Sequence, residues 1–176
     1  MPLTWYNNPM GNTQRQLLQW VEREVRACRP IALRYFRSPA LRVERKADHS
    51  PVTQADRAIE ERLRRVLQRQ CPGEPILGEE FGSSGPLGDT YWTIDPIDGT
   101  RAFSCGLPSW GIMVGRVERG RATVGVVDYP AFGTTLAVAP GLRAYERAGR
   151  RCLPLPRARP RHTLQDLLAK GTSSAP

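Results

Sequence analysis

Tyr91-Trp92-Thr93-Ile94-Asp95-Pro96-Ile97-Asp98-Gly99-Thr100 decides what this chain folds into. Aromatic and β-branched side chains open the stretch and favour a strand. The strand runs into two carboxylates three residues apart, Asp95 and Asp98, in a turn stiffened by proline. There the two can converge on one point instead of facing opposite sides of a strand. Hard divalent cations such as magnesium take oxygen ligands of this kind, and the Ile97 carbonyl between them can add another. Gly99 and Thr100 then read as the start of a short helix whose free amides suit a phosphate. The Thr100 hydroxyl can reach a cation-bound water. Taken alone, Asp-x-x-Asp-Gly is a weak signal, because a calcium-like loop or a plain acidic turn carries the same letters.

The neighbouring segments strengthen it. Ile76-Leu77-Gly78-Glu79-Glu80 reads as another short strand ending in carboxylates. Ser50-Pro51-Val52-Thr53-Gln54-Ala55-Asp56 presents one more at a helix start, where Thr53 can cap and Asp56 suits the helix dipole. Carboxylates gathered at element ends beside a glycine turn describe a multi-metal phosphate site. Their mutual repulsion would be costly without cations.

Working outward, Thr13 to Cys28 carries Leu17, Leu18, Val21 and Val25 on one stripe and is predicted helical, with Pro30 as its stop. Residues 38–51 read as a loop. From Thr53 a second helix buries Ile59, Leu63, Val66 and Leu67 and ends at Cys71-Pro72-Gly73. Strands are expected at Pro75–Gly78, Tyr91–Asp95, Gly111–Val117, Arg121–Tyr129 and Thr134–Ala139, with a hairpin turn at Glu118-Arg119-Gly120. Two helices followed by mostly antiparallel strands predict a layered α+β domain over residues 1–150. Residues 151–176, rich in Pro and Arg with neither helix nor strand period, are expected to form a poorly ordered tail.

The three blocks, Ser50 to Asp56, Leu77 to Glu80 and Trp92 to Phe103, resemble the signatures of the inositol monophosphatase superfamily in its order and spacing. The resemblance covers Leu17 to Gly149 and implies the N-terminal half of that family's fold. It implies a magnesium-dependent phosphomonoesterase acting on a small phosphorylated metabolite by direct attack of metal-activated water, without a phosphoenzyme. Position by position, it assigns Glu79, Asp95 and the Ile97 carbonyl to a first Mg2+, and Asp95 and Asp98 to a second. Asp56 and Thr100 would orient the attacking water, the amides of Gly99 and Thr100 would hold the phosphate, and Glu80 and Lys46 would stand behind the ligands. The blocks around Lys46, Phe81 and Arg101, with Gly106-Leu107-Pro108-Ser109-Trp110-Gly111, resemble the bacterial histidinol-phosphatase branch. L-histidinol phosphate is therefore the expected substrate, ahead of inositol 1-phosphate and of 3′(2′),5′-bisphosphate nucleotides.

The family's second half carries a Trp-Asp motif, whose aspartate completes the second metal site, and a Ser-Gly segment. No Trp-Asp pair occurs here, nor the Gly-rich Ser-Gly segment that precedes it in the family's second half, and the likeness is read as ending at Arg151. The second cation is therefore expected to bind weakly and turnover to be impaired. One sheet face is expected to lack its cover, leaving Ile112, Val114, Val124 and Val126 partly in solvent and favouring self-association into a homo-oligomer.

Composition sets the remaining bounds. At 176 residues the chain suits one domain. No stretch is apolar enough to span a bilayer, and the N-terminus lacks a signal-peptide layout, so a cytoplasmic address without membrane partners is expected. Cys28, Cys71, Cys105 and Cys152 form no Cys-x-x-Cys pair, which argues against a zinc site or a disulfide framework. The net charge is +9, of which +6 falls between Gly141 and Pro176, without aromatic interleaving. A solvated tail is expected rather than a nucleic-acid surface; a non-catalytic metal- or polyanion-binding module is the alternative of another class.

Overall fold

The computed structural model describes residues 11–47 and 49–156. Helix α1 spans Gly11–Arg26 and a short α2 spans Arg29–Tyr35. Pro30 does both jobs proline can do here: it cannot continue α1, and it sits in the first turn of α2, where no N–H is needed. The segment read as a loop holds a small antiparallel hairpin, β1 (Val43–Arg45) with β2 (Pro51–Thr53). Helix α3 follows at Gln54–Gln70, with a complete capping box in which the Thr53 and Asp56 side chains each serve the other's backbone.

The remaining strands are β3 (Ile76–Gly78), β4 (Gly82–Ser83), β5 (Thr90–Asp98), β6 (Gly111–Glu118), β7 (Arg121–Tyr129), β8 (Thr134–Val138), β9 (Tyr145–Ala148) and β10 (Arg151–Pro154). They form one eight-stranded sheet in the order β10-β9-β8-β7-β6-β5-β3-β4. All neighbours are antiparallel except β3 and β5. A five-residue helix, α4 (Thr100–Ser104), leaves the end of β5. The β6–β7 turn places Arg119 at φ 49° and Gly120 at φ 72°. Two successive positive angles match the right-handed twist of the flanking strands.

Helices α1 and α3 cover one face of the sheet. Leu18, Val21 and Val25 of α1 and Ile59, Leu63 and Leu67 of α3 join Trp92, Ile94, Ile112, Val114, Val124 and Val126 in a single core. This corrects the expectation about the uncovered face. Ile112, Val114, Val124 and Val126 are no more than 3% exposed, because strand alternation turns them toward the helices. The open face carries their neighbours instead, including Met113, Val127, Leu136, Leu77 at 38% and Val138 at 47% exposure. Asp128 also belongs to the helix side. It is fully buried, accepts from Arg29 at 2.6 and 2.8 Å, and accepts from Thr135 Oγ1 at 2.7 Å. It is therefore no substitute ligand for a metal at Asp95, which lies on the other face. Asp128→Asn keeps the shape but removes the charge from these bonds, and should cost about 2 kcal/mol in urea unfolding.

The sheet also continues past the expected boundary at residue 151. β10 pairs with β9, and that hairpin is tied to α1 through Glu22, a buried carboxylate that accepts from Tyr145 Oη at 2.8 Å and pairs with Arg147. Of the tail expected over 151–176, residues 157–176 lie outside the described residues.

Candidate active site

Three segments bring carboxylates to the C-terminal ends of β3 and β5. The Asp95–Asp98 turn is built by a bulge. Asp95 pairs with Met113 and Asp98 with Gly111, so three steps on β5 face two on β6. In a regular strand, residues three apart point to opposite faces; the extra residue returns Asp98 to the side of Asp95. Ile97 is fully buried and anchors the turn, while its carbonyl accepts from Thr100 Oγ1 at 3.1 Å. One lone pair of that carbonyl is thus used, and one is left for a cation. Gly99 sits at φ 86°, and a Cβ there would come within 2.9 Å of the Ser109 carbonyl oxygen. Glycine is required at this position on both counts. Trp110, stacked edge-on against Phe103 at 4.8 Å, packs beneath α4 as core.

At the end of β3 the Glu79 amide donates to the Ile94 carbonyl at 3.1 Å, carrying the parallel pairing one step beyond the strand. The Glu79 side chain is 41% exposed and that of Glu80 only 4%. Lys46, at the end of β1, reaches both: its Nζ lies 2.9 Å from Glu79 Oε1 and 2.8 Å from Glu80 Oε1. Asp56 is fully buried. Its Oδ2 accepts the Thr53 amide at 2.9 Å and the Thr53 hydroxyl, while Oδ1 is buried with no hydrogen-bond partner. Asp95 Oδ1 is likewise buried and unpartnered.

Glu60 is the residue that sequence reasoning missed. It is fully buried on α3 and accepts the amides of Glu80 at 2.7 Å and Phe81 at 3.2 Å, with Arg64 pairing at 2.8 Å. It thereby fixes the turn that presents Glu79. Gly78 makes room for it, since a Cβ there would fall 1.9 Å from Glu60 Oε1. The signal was available: Glu60 shares the buried face of α3 with Asp56, Ile59, Leu63 and Leu67. A charge on an apolar stripe is either an error or a fixed point in a network.

Electrostatics reflect the crowding. Burial pushes Asp56 up to about 6, against its hydrogen bonds from Thr53. Asp95 rises to about 7, first through burial and then through the adjoining Glu79, with Asp98 and Asp56 adding their charges. Burial also raises Glu80, although Lys46 opposes this. For Lys46, burial disfavours the ammonium, yet the bonds to Glu80 and Glu79 outweigh it and its pKa rises. Of the five carboxylates gathered here (Asp56, Glu79, Glu80, Asp95 and Asp98), Lys46 pairs with Glu79 and Glu80. Among the described residues no three His, Cys, Asp or Glu side chains stand as a ready-made metal cage. The donor chemistry nonetheless fits a hard cation: every candidate ligand is oxygen, Asp56 Oδ1 and Asp95 Oδ1 are buried without a partner, and the buried Glu80 Oε1 meets only the Lys46 ammonium. Phe81 is 46% exposed under the Arg64 guanidinium, and Arg101 is exposed on α4. A hollow of about 360 Å³ opens on the sheet face beside Glu79 and Asp95, bounded by Leu77, Thr93 and Met113.

Residues 13–174 match the inositol monophosphatase family, and the chain belongs to that family. The match runs past Arg151, where the likeness was expected to end. Among curated relatives, the chain is similar to the histidinol-phosphatase of Mycobacterium tuberculosis, 44% identical over 105 residues, covering 60% of this chain and 40% of that protein. It is similar to the histidinol-phosphatase of Chlorobaculum parvum at 37% over 115 residues, covering 65% and 44%. Among solved structures, the Thermotoga maritima IMPase superposes with a TM-score of 0.68 at 32% identity, covering 77% of this chain and 52% of that one. The chain thus spans less than half the length of these two curated relatives.

Proposed function

We propose that this chain carries the metal and phosphate site of a magnesium-dependent phosphomonoesterase for a small phosphorylated alcohol. The observation that supports it best is the pair of buried, unpartnered oxygens, Asp56 Oδ1 and Asp95 Oδ1, within a cluster of oxygen donors beside the Gly99 turn. Glu79, Asp95 and the Ile97 carbonyl would hold a first Mg2+, and Asp95 and Asp98 a second. Bound there, the cations would polarise the phosphoryl oxygens and acidify water. Asp56, with one oxygen locked in the α3 cap, keeps the other in a fixed place to take a proton from the attacking water. Thr100 would orient that water together with Asp56, and the amides of Gly99 and Thr100 would hold the phosphate. With only two of its own carboxylates at the second position, the chain is expected to need more magnesium than a site with three.

For the substrate we infer L-histidinol phosphate ahead of inositol 1-phosphate and 3′,5′-bisphosphate nucleotides. The identities to two histidinol-phosphatases support this order, and the hollow beside Glu79 suits a molecule of that size. A parallel hydrolysis panel of the three substrates at saturating magnesium checks it. L-histidinol phosphate should give the highest kcat/KM, and a clear preference for inositol 1-phosphate would reverse the order.

A further inference from the structure

The chain uses twenty-four arginines and only two lysines, Lys46 and Lys170. One of those two stands where the acidic cluster is densest. Its ammonium touches Glu79 Oε1 and Glu80 Oε1 at 2.9 and 2.8 Å, and the side chain is only 23% exposed. A lysine does there what an arginine does less well. It puts a compact point charge between two carboxylates, as a bound cation would, whereas a guanidinium is a planar fork that favours side-on pairing with one. Lys46 is carried by the β1–β2 hairpin, whose turn is closed by two backbone bonds: the Lys46 amide to the Ser50 carbonyl and the His49 amide to the Lys46 carbonyl, both 2.9 Å. His49 holds a positive φ of 64° in that turn. The amine is thus supplied from the end of the exposed strand β1, while β2 holds the hairpin to the core through Val52 and Thr53.

Glu79 cannot serve the ammonium and a divalent cation together without conflict. An ammonium and a divalent cation drawn to the same carboxylate repel each other at close range, and partial burial weakens the screening between them. We propose that Lys46 is a built-in stand-in for the cation: it holds Glu79 and Glu80 in the metal-free chain and gives up Glu79 when a divalent cation binds. Cation binding is then an exchange, and the affinity of Glu79 for magnesium is lowered by what the lysine contact contributes. The inference rests on the metal site proposed above and adds a step of binding to it.

Limited acetylation of the full chain with an N-hydroxysuccinimide ester, read by mass spectrometry as the ratio of Lys46 to Lys170 modification, tests it. Saturating MgCl2, but not NaCl of equal ionic strength, should raise the Lys46 ratio about fivefold, the equivalent of one lost ion pair. In calorimetry, Lys46→Met should bind Mg2+ more tightly than the wild type, and its metal-free form should melt lower. Magnesium binding that leaves Lys46 reactivity unchanged overturns the exchange while sparing the metal site. Weaker binding by Lys46→Met overturns it as well, by making the lysine a support of the cation. Absence of any magnesium binding removes both proposals.

Discussion

Asp95→Asn should bring magnesium-dependent phosphate release down to background, a loss of at least about a hundredfold or roughly 2.7 kcal/mol of transition-state stabilisation. Asp95 is the one carboxylate assigned to both cations, so its loss takes a negative ligand from each. The same substitution should leave the fold intact, because one oxygen of the Asp95 side chain is buried without a partner and its side-chain hydrogen bond is to Glu79, itself a carboxylate that an amide can still meet. It should even raise the melting temperature of the metal-free chain at pH 8, where Asp95 otherwise repels Glu79, Asp98 and Asp56. Phosphate assays and thermal melts on the same preparation separate the two effects. Undiminished turnover in the variant would contradict the assignment.

The second large effect is on stability against pH without metal. Asp56 and Asp95 both have folded pKa values raised above the ordinary 3.8, to about 6 and about 7. A raised carboxyl favours the folded state in its protonated form. The stability these two groups contribute is fully present below about pH 4 and lost as pH rises to about 7. For Asp56 the shift corresponds to about 3 kcal/mol; Asp95 is more open to solvent and adds a smaller share. Urea unfolding at pH 5 and pH 8 should therefore show the metal-free chain weaker at pH 8, with the deficit repaired by magnesium, which binds the deprotonated carboxylates. The double variant Asp56→Asn/Asp95→Asn should lose most of this slope. A metal-free wild type equally stable at both pH values would show that the carboxylates are not held against their preference.

These effects were partly legible in the sequence. The five central strands and α3 were readable because each buries one face against the helices, so alternation and the 3.6-residue stripe are both strong. The α3 start was readable to the residue, since Thr53 and Asp56 form a capping box written in local sequence. What escaped detection is short, and most of it buries little; β2, with Val52 and Thr53 buried, is only three residues long. β1 and β10 are exposed at every position, so nothing in their apolar pattern marks them as strands. Helix α2 has seven residues, and its Pro30 was read as a stop alone. The sides of the sheet were assigned the wrong way round because alternation separates two faces without saying which one the helices take. That choice is made by α1 and α3 packing on β5, β6 and β7. For the site, the sequence showed which carboxylates lie at element ends. It did not show that Glu60 fixes the Glu79 turn or that Lys46 spans Glu79 and Glu80, since both depend on contacts between segments distant in the chain.

The central claim is that the carboxylates around Asp95 hold magnesium, and it is most directly tested by calorimetric titration of MgCl2 into the purified chain at pH 7, beside Asp95→Asn. The account predicts saturable binding below about 10 mM by the wild type, with protons released because Asp95 is partly protonated at that pH. It predicts little or no binding by the variant. No binding by the wild type, or equal binding by both, would contradict it.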